Sequence, residues 1–210
     1  MDAGSFVYEC NGVRWSADLG MQDYHSLESR GVDLWNQSQS GQRWDVFRLG
    51  NESHSTLTIN GKHHKVKSFV PIVRTWRERD RKGARLDMTS AFEEDIDSLK
   101  REIWLDRKDH LHVRDIISTG QDQADVMWVM TTPARAEILP DGSILLEKDG
   151  KKMKLEVIEN NVEGLMPHIW TNDPSHDYDA PNPGTCRVGF IMTVPEYSEA
   201  VLEVLLTPVR

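Results

Sequence analysis

The residues able to do chemistry here are histidines and carboxylates at strand ends, and arginines interleaved with tryptophans. Asp18 closes the run Val13-Arg-Trp-Ser-Ala-Asp18, and His54 opens Ser53-His54-Ser55-Thr56-Leu57. A carboxylate and an imidazole at neighbouring strand ends can share a zinc ion, which accepts mixed nitrogen and oxygen ligands. The plainer reading is a turn-forming aspartate and a polar strand residue. His110 and His112 form a His-x-His on one strand face, which can also chelate zinc, but no third ligand is evident in the sequence; the flanking Arg107, Asp109 and Arg114 read as a solvated face. His63 and His64 are adjacent, so on a strand they point to opposite faces. His168 and His176, with Asp173, Asp177 and Asp179, fall in or near a late proline-rich polar loop that could hold calcium or sugar.

The strongest basic cluster is Arg74-Thr-Trp76-Arg77-Glu-Arg79-Asp-Arg81-Lys82-Gly-Ala-Arg85. Arginine grips sulfate and carboxylate with two parallel hydrogen bonds, and tryptophan stacks on flat faces. Glu78 and Asp80 dilute the charge, so a solvated loop is the reading preferred over a polyanion groove. Arg43 and Arg48, bracketing Trp44 and Phe47, are a second candidate pair. No Ser-His-Asp signature, phosphate loop or dinucleotide fingerprint is present.

The elements that must position these side chains read as strands. Asn11-Gly12 lies between Phe6-Val-Tyr-Glu-Cys10 and Val13-Arg-Trp-Ser-Ala17, and Asn-Gly accepts the positive φ angles of a tight hairpin turn. Asn60-Gly61, Asp141-Gly142 and Asp149-Gly150 repeat the device, and Lys108-Asp109 turns Arg101–Asp106 back onto Leu111–Ile117. Leu111, Val113 and, by period, Asp115 point one way, while His110, His112 and Arg114 point the other. Met153, Leu155 and Val157 likewise oppose Lys154, Glu156 and Ile158. Period-two patterning with one wet face means antiparallel sheet. Ten or more short strands predict an all-β antiparallel sandwich of stacked sheets occupying residues 1–210 as one domain. Thr89–Lys100 predicts a loop or one helical turn; Gly20–Gln42 and Thr171–Thr185 predict long polar loops.

Bulk properties bound the function. With 38% hydrophobic and 28% charged residues, the chain has the balance of a globular domain. No apolar run reaches the length of a membrane helix, so no membrane contact is expected. A net charge of −9 argues against nucleic acid, and any polyanionic sugar would need a local basic groove. Cys10 and Cys186 sit in apolar runs and read as free thiols more readily than as a disulfide between terminal strands. The first residues carry no signal peptide and run straight into strand-like sequence, the expectation for a fragment of something longer.

The stretch Asp2-Ala-Gly-Ser-Phe-Val-Tyr-Glu…Gly12-Val-Arg-Trp-Ser-Ala-Asp18-Leu-Gly20 resembles the β-domain of heparinase II/III-family polysaccharide lyases. So do Gln42-Arg-Trp-Asp-Val-Phe-Arg48 and Ser53-His54-Ser-Thr-Leu-Thr-Ile-Asn60-Gly61, although Ser55 stands where the family usually has asparagine. Leu86-Asp-Met-Thr-Ser-Ala, Lys100-Arg101 and Val113-Arg-Asp115 continue a looser likeness along the rest of the chain.

The resemblance implies an N-terminal α/α toroid, which this chain lacks, packed against C-terminal antiparallel sheets with the active site between them. It implies β-elimination at a uronic acid. A base removes the C5 proton, the carboxylate is neutralised by donors, and the C4 oxygen leaves with a proton. The family's catalytic tyrosine and histidine come mostly from the toroid, so no catalytic residue is expected in this chain. A family zinc is held by an aspartate, a later histidine and the second histidine of a His-x-His preceding Asp-Ala-Gly-Ser-Phe. By resemblance Asp18 and His54 match the first two; the His-x-His is not in this sequence. Arg43 and Arg48 become this domain's contribution to binding an acidic polysaccharide such as heparin or heparan sulfate. The same resemblance implies a periplasmic or secreted full-length enzyme, an incomplete zinc site and no turnover by this chain alone. Self-association through the face bared by the missing toroid is also expected. A non-catalytic module that binds acidic glycans is the alternative, and an inert structural domain a third reading.

Overall fold

The computed structural model describes residues 1–209; Arg210 lies outside the described residues. In chain order the elements are β1 (Tyr8–Cys10), β2 (Val13–Ser16), α1 (Tyr24–Glu28), β3 (Leu57–Ile59), β4 (Ile72–Arg77), β5 (Lys82–Asp87), β6 (Ser98–Leu105), β7 (Leu111–Ser118), β8 (Ala124–Thr132), β9 (Arg135–Ile138), β10 (Ile144–Lys148), β11 (Lys151–Asn160), β12 (Met166–Thr171), β13 (Cys186–Val194) and β14 (Glu199–Val209). Short 3₁₀ turns occupy Gln42–Asp45, Phe47–Leu49, Asn51–Ser53 and Thr89–Ala91. Among the described residues no helix is long and apolar enough to cross a membrane.

An eight-stranded antiparallel sheet runs β4-β5-β6-β7-β14-β11-β10-β9, and a four-stranded sheet runs β12-β13-β8-β3. They pack as a sandwich. Alternation decides which side chains meet. Leu111, Val113, Asp115 and Ile117 of β7 face inward beside Ala200, Leu202, Val204 and Leu206 of β14, and Met153 and Leu155 of β11 join them. The small sheet answers with Val126, Trp128 and Met130 of β8 and Val188, Phe190 and Met192 of β13. Trp128 lies between Phe6 and Phe190, with ring centroids 6.2 Å from each, and is fully buried. Burying side chains of this size contributes roughly 1.5–3 kcal/mol apiece.

One ion pair interrupts the apolar layer. Arg101 and Asp115 are cross-strand partners, both fully buried. Arg101 Nε and Nη2 donate to Asp115 Oδ1 and Oδ2 at 2.8 and 2.9 Å. Its Nη1 donates to the Gly4 carbonyl at 3.0 Å and reaches the Ser55 carbonyl at 3.5 Å. The pair thus ties the large sheet to the N-terminal segment and to the residue after His54.

The Asn11-Gly12 and Asp149-Gly150 hairpins form with positive φ at both central residues. Asn60-Gly61 also turns the chain but starts no hairpin; β3 ends there in a single bridge, Ile59 to Lys62. Two expected loops are structured. Gly20–Gln42 contains α1, whose Asp23 side chain accepts from Ser26 N–H at the N-terminus, and its Leu27, Val32 and Leu34 form a small second core with Val46 from just beyond it. Core residues so widely spaced along a polar stretch are too sparse to show a period. Arg74–Arg85 is the β4–β5 edge hairpin rather than a solvated loop.

Candidate functional site

Asp18 and His54 come together. The β2 strand is prolonged by the Ala17 N–H, which donates to the Thr131 carbonyl of β8 at 2.9 Å, and this sets Asp18 at the sheet edge. The 53–56 segment lies on the same strand. Thr131 Oγ1 donates to the Ser53 carbonyl at 2.6 Å, Thr131 N–H donates to Ser55 Oγ at 3.1 Å, and Val129 N–H donates to the Thr56 carbonyl. Ser55 Oγ also lies 2.9 Å from Ser16 Oγ. Asp18 is clamped by the Gly20 N–H on Oδ1, and its Oδ2 lies 2.7 Å from His54 Nδ1. With the carboxylate accepting, Nδ1 carries the proton. His54 is nearly buried, while the Asp18 side chain is 39% exposed.

An imidazole and a carboxylate are donors of the zinc-binding kind, so the pair fits a metal in type. A metal entering between them replaces the Nδ1 proton. The pair is short in number: among the described residues no three His, Cys, Asp or Glu donors converge on one point. The chain's start runs alongside, since Thr56 Oγ1 donates to the Ala3 carbonyl at 2.6 Å.

His64 sits behind this region, buried, with its Nε2–H directed to the Leu57 carbonyl at 2.9 Å and its ring edge-on to Phe92. Its Nδ1 is buried without a partner. Burial pushes its pKa down to about 4; the Leu57 carbonyl opposes this, and the positive N-terminus and Arg101 add to the depression. His63 is half-buried beside Asn51 and Asp45.

Arg43 and Arg48 both lie in the loop lobe around α1. Arg43 Nη1 donates to the Leu34 carbonyl at 3.1 Å and Nη2 to Tyr24 Oη at 3.3 Å, and its guanidinium lies over the Tyr24 and Trp44 rings. Arg48 reaches the late loop. Its Nε donates to Asn182 Oδ1 (2.8 Å), Nη1 to the Met21 carbonyl (3.2 Å) and Nη2 to the Pro181 carbonyl (3.1 Å). Both arginines therefore brace the lobe. The late loop is organised by Asp179, which accepts from the Phe47, Ser175 and His176 N–H groups. His176 stacks on Tyr178, and His168 packs beside Trp170 on the small sheet; the two rings belong to separate groups.

The outer face of the large sheet holds groupings the sequence reading missed. Gly83 pairs with Trp76 on one side and Trp104 on the other. The Arg81 guanidinium lies over both rings, 3.8 Å from the Trp76 centroid and 4.2 Å from that of Trp104. Glu102 receives Arg81 Nη2 and Arg85 Nε, each at 2.6 Å. Trp104 stacks on His112, and Asp106 faces both His110 and His112. Cys10 and Cys186 are free thiols, and burial raises the pKa of Cys186.

On the outer face of the small sheet, Met127, Met166, Trp170 and Ile191, together with Glu52, Asp125 and Arg187, line an open apolar groove of about 450 Å³.

The heparinase II/III-like C-terminal family matches residues 1–189. No curated protein matches the chain. Among solved structures, a heparinase III with methylated lysines superposes with a TM-score of 0.73 at 16% identity, over 99% of this chain and 30% of its own. A second heparinase III gives 0.72 at 14%, and the heparan sulfate lyase HepC from Pedobacter heparinus gives 0.68 at 13%, with the same coverages. These identities speak for the fold, and the chain spans about 30% of the length of the structures it matches. A sandwich of this topology and a match along most of its length place the chain in the heparinase II/III-like family of polysaccharide lyases, as its C-terminal domain.

Proposed function

We propose that this chain is the C-terminal part of a lyase that cleaves uronic-acid glycans of the heparin or heparan sulfate kind by β-elimination. In that reaction a base takes the C5 proton, the electron pair forms the C4–C5 double bond, and the C4–O bond breaks with protonation of the leaving oxygen. The reading is carried by the family match together with the Asp18–His54 pair at 2.7 Å. The catalytic base and acid come from an α/α toroid preceding this domain, and the chain alone has no turnover. The full-length enzyme works in the periplasm or outside the cell.

Asp18 and His54 are two ligands of a structural zinc, whose presence would fix the junction between β2 and the 53–56 segment. The remaining donor lies just before Asp2, a placement supported by the Ala3–Thr56 bond. Arg43 and Arg48 touch the substrate: Arg48 keeps N–H groups on Nη1 and Nη2 beyond its three contacts, enough to meet a carboxylate or sulfate. The apolar groove on the small sheet is the face that leads the chain alone to self-associate.

The test is release of unsaturated uronate from heparan sulfate, followed by ultraviolet absorbance. The full-length protein turns over and this chain does not. Arg48→Ala in the full-length protein lowers turnover or affinity; unchanged kinetics would remove Arg48 from the substrate site. If this chain binds heparan sulfate while the full-length protein never cleaves a uronate glycan, a non-catalytic binding module replaces the lyase reading.

A further inference from the structure

The turn between β6 and β7 gathers two imidazoles and a carboxylate on the outer face of the large sheet. Asp106 Oδ1 accepts the Lys108 and His110 N–H groups at 2.7 and 3.0 Å, which fixes the plane of the carboxylate. Its Oδ2 is turned toward both rings, 3.2 Å from His110 Nδ1 and 3.9 Å from His112 Nε2. His112 is fixed from two other directions. Its Nδ1 lies 2.8 Å from Glu203 Oε1, and its ring stacks on Trp104 at 4.7 Å with 13° between the planes.

The Glu203 contact determines the tautomer. With the carboxylate accepting, the proton sits on Nδ1, and in the neutral ring Nε2 carries a lone pair, 3.9 Å from Asp106 Oδ2. Two acceptors facing each other repel unless a proton or a cation lies between them. A carboxylate behind one ring nitrogen and an open lone pair on the other is the arrangement that metal-binding histidines use. All three side chains are partly exposed, so an ion can enter from solvent. Acidic groups outnumber basic ones around the opening: Asp106 and Glu203 stand against Arg114, which is shared between Glu203 and Glu159, while neighbouring Arg107 turns to Asp80.

We propose that Asp106, His110 and His112 form a binding site for a divalent first-row transition ion such as zinc, with Glu203 positioning His112. The donors do not yet surround a common point. Tetrahedral zinc holds nitrogen and oxygen ligands ~3.3 Å apart; the 3.2 Å between Asp106 Oδ2 and His110 Nδ1 meets that spacing, and the 3.9 Å to His112 Nε2 must shorten. Bound there, the ion ties the β6–β7 turn to the His112 ring, which Glu203 of β14 holds from behind. The site rests on this hairpin and Glu203 and does not depend on the lyase reading.

Zinc chloride titrated calorimetrically into the chain carrying Asp18→Asn, which silences the other pair, tests the proposal. One equivalent binds near neutral pH with micromolar affinity, and the melting temperature rises with zinc. Asp106→Asn keeps the oxygen that caps the turn but loses the charge, and weakens zinc at least tenfold. His112→Asn does the same, while Glu203→Gln weakens it roughly tenfold without abolishing it. Circular dichroism and the zinc-free melting temperature show whether each variant is folded. If His112→Asn unfolds, Asp106→Asn and His110→Asn decide alone. Absence of binding at millimolar zinc, or affinity unmoved by Asp106→Asn and His110→Asn, overturns the site.

Discussion

Two groupings of histidine and carboxylate occupy opposite situations in this domain. Asp18 and His54 come from segments far apart in sequence and are aligned through β8, with Arg101 supporting the Gly4 and Ser55 carbonyls next to them. Asp106, His110 and His112 come from a single hairpin, and only Glu203 is distant. The first grouping depends on the interior of the sandwich for its geometry; the second depends on one turn and one stacked ring. Similar residue types are thus made rigid by tertiary bonds in one place and by local backbone in the other.

The largest effect that separates them comes from the buried ion pair. Asp115→Ala leaves the Arg101 guanidinium charged in an apolar layer and costs about 3–5 kcal/mol, read as a lowered urea midpoint. In the surviving native state, hydrogen exchange speeds up at Ser55 and Thr56 sooner than at the β6–β7 turn. Equal acceleration at both would erase the distinction.

The next effect is one of pH. His64 is held neutral with its pKa near 4, against 6.5 for an ordinary histidine. The unfolded chain takes up its proton first as pH falls. Stability is therefore full above pH 6.5, declines by on the order of 3 kcal/mol between 6.5 and 4, and is flat below that as far as His64 is concerned. Comparing His64→Leu with the parent by urea unfolding across this range isolates the slope, which should be absent from the variant.

A smaller loss follows Asp179→Ala, which strands the N–H groups of Phe47, Ser175 and His176. It costs about 1–3 kcal/mol and loosens the Arg48 lobe without moving either histidine grouping. The smallest change is Asp18→Asn in the metal-free chain, at most ~1 kcal/mol, because Asp18 is a partly exposed partner of His54.

Much of the frame was legible because tight turns and alternation are local signals. Asn11-Gly12 and Asp149-Gly150 announce their hairpins, and the period of β7 put Asp115 on the inner face, where it meets Arg101. The approach of Asp18 to His54 was anticipated at the strand ends and then by resemblance. Other features lack a local signal. Asp106 belongs to a turn, and nothing in its spacing says that one carboxylate oxygen caps the backbone while the other spans two rings. Glu203 reaches His112 only because β14 pairs with β7. The Arg81 stack depends on Trp76 and Trp104 being brought to either side of Gly83 by register, which no local pattern shows, so Arg74–Arg85 reads in sequence as a solvated loop. The small core of the α1 lobe depends on residues too scattered to mark a helix.

The most direct measurement of the lyase-domain account is zinc content by elemental analysis in an Asp106→Asn background, which removes the hairpin site from the count. It is made on this chain extended at its N-terminus by the segment that the proposed full-length lyase places before it, with and without His54→Ala and Asp18→Ala. The account predicts one zinc per extended chain and its loss in both variants. An extended chain that holds no zinc, or that keeps its zinc when Asp18 and His54 are replaced, contradicts the assignment of these two residues as ligands.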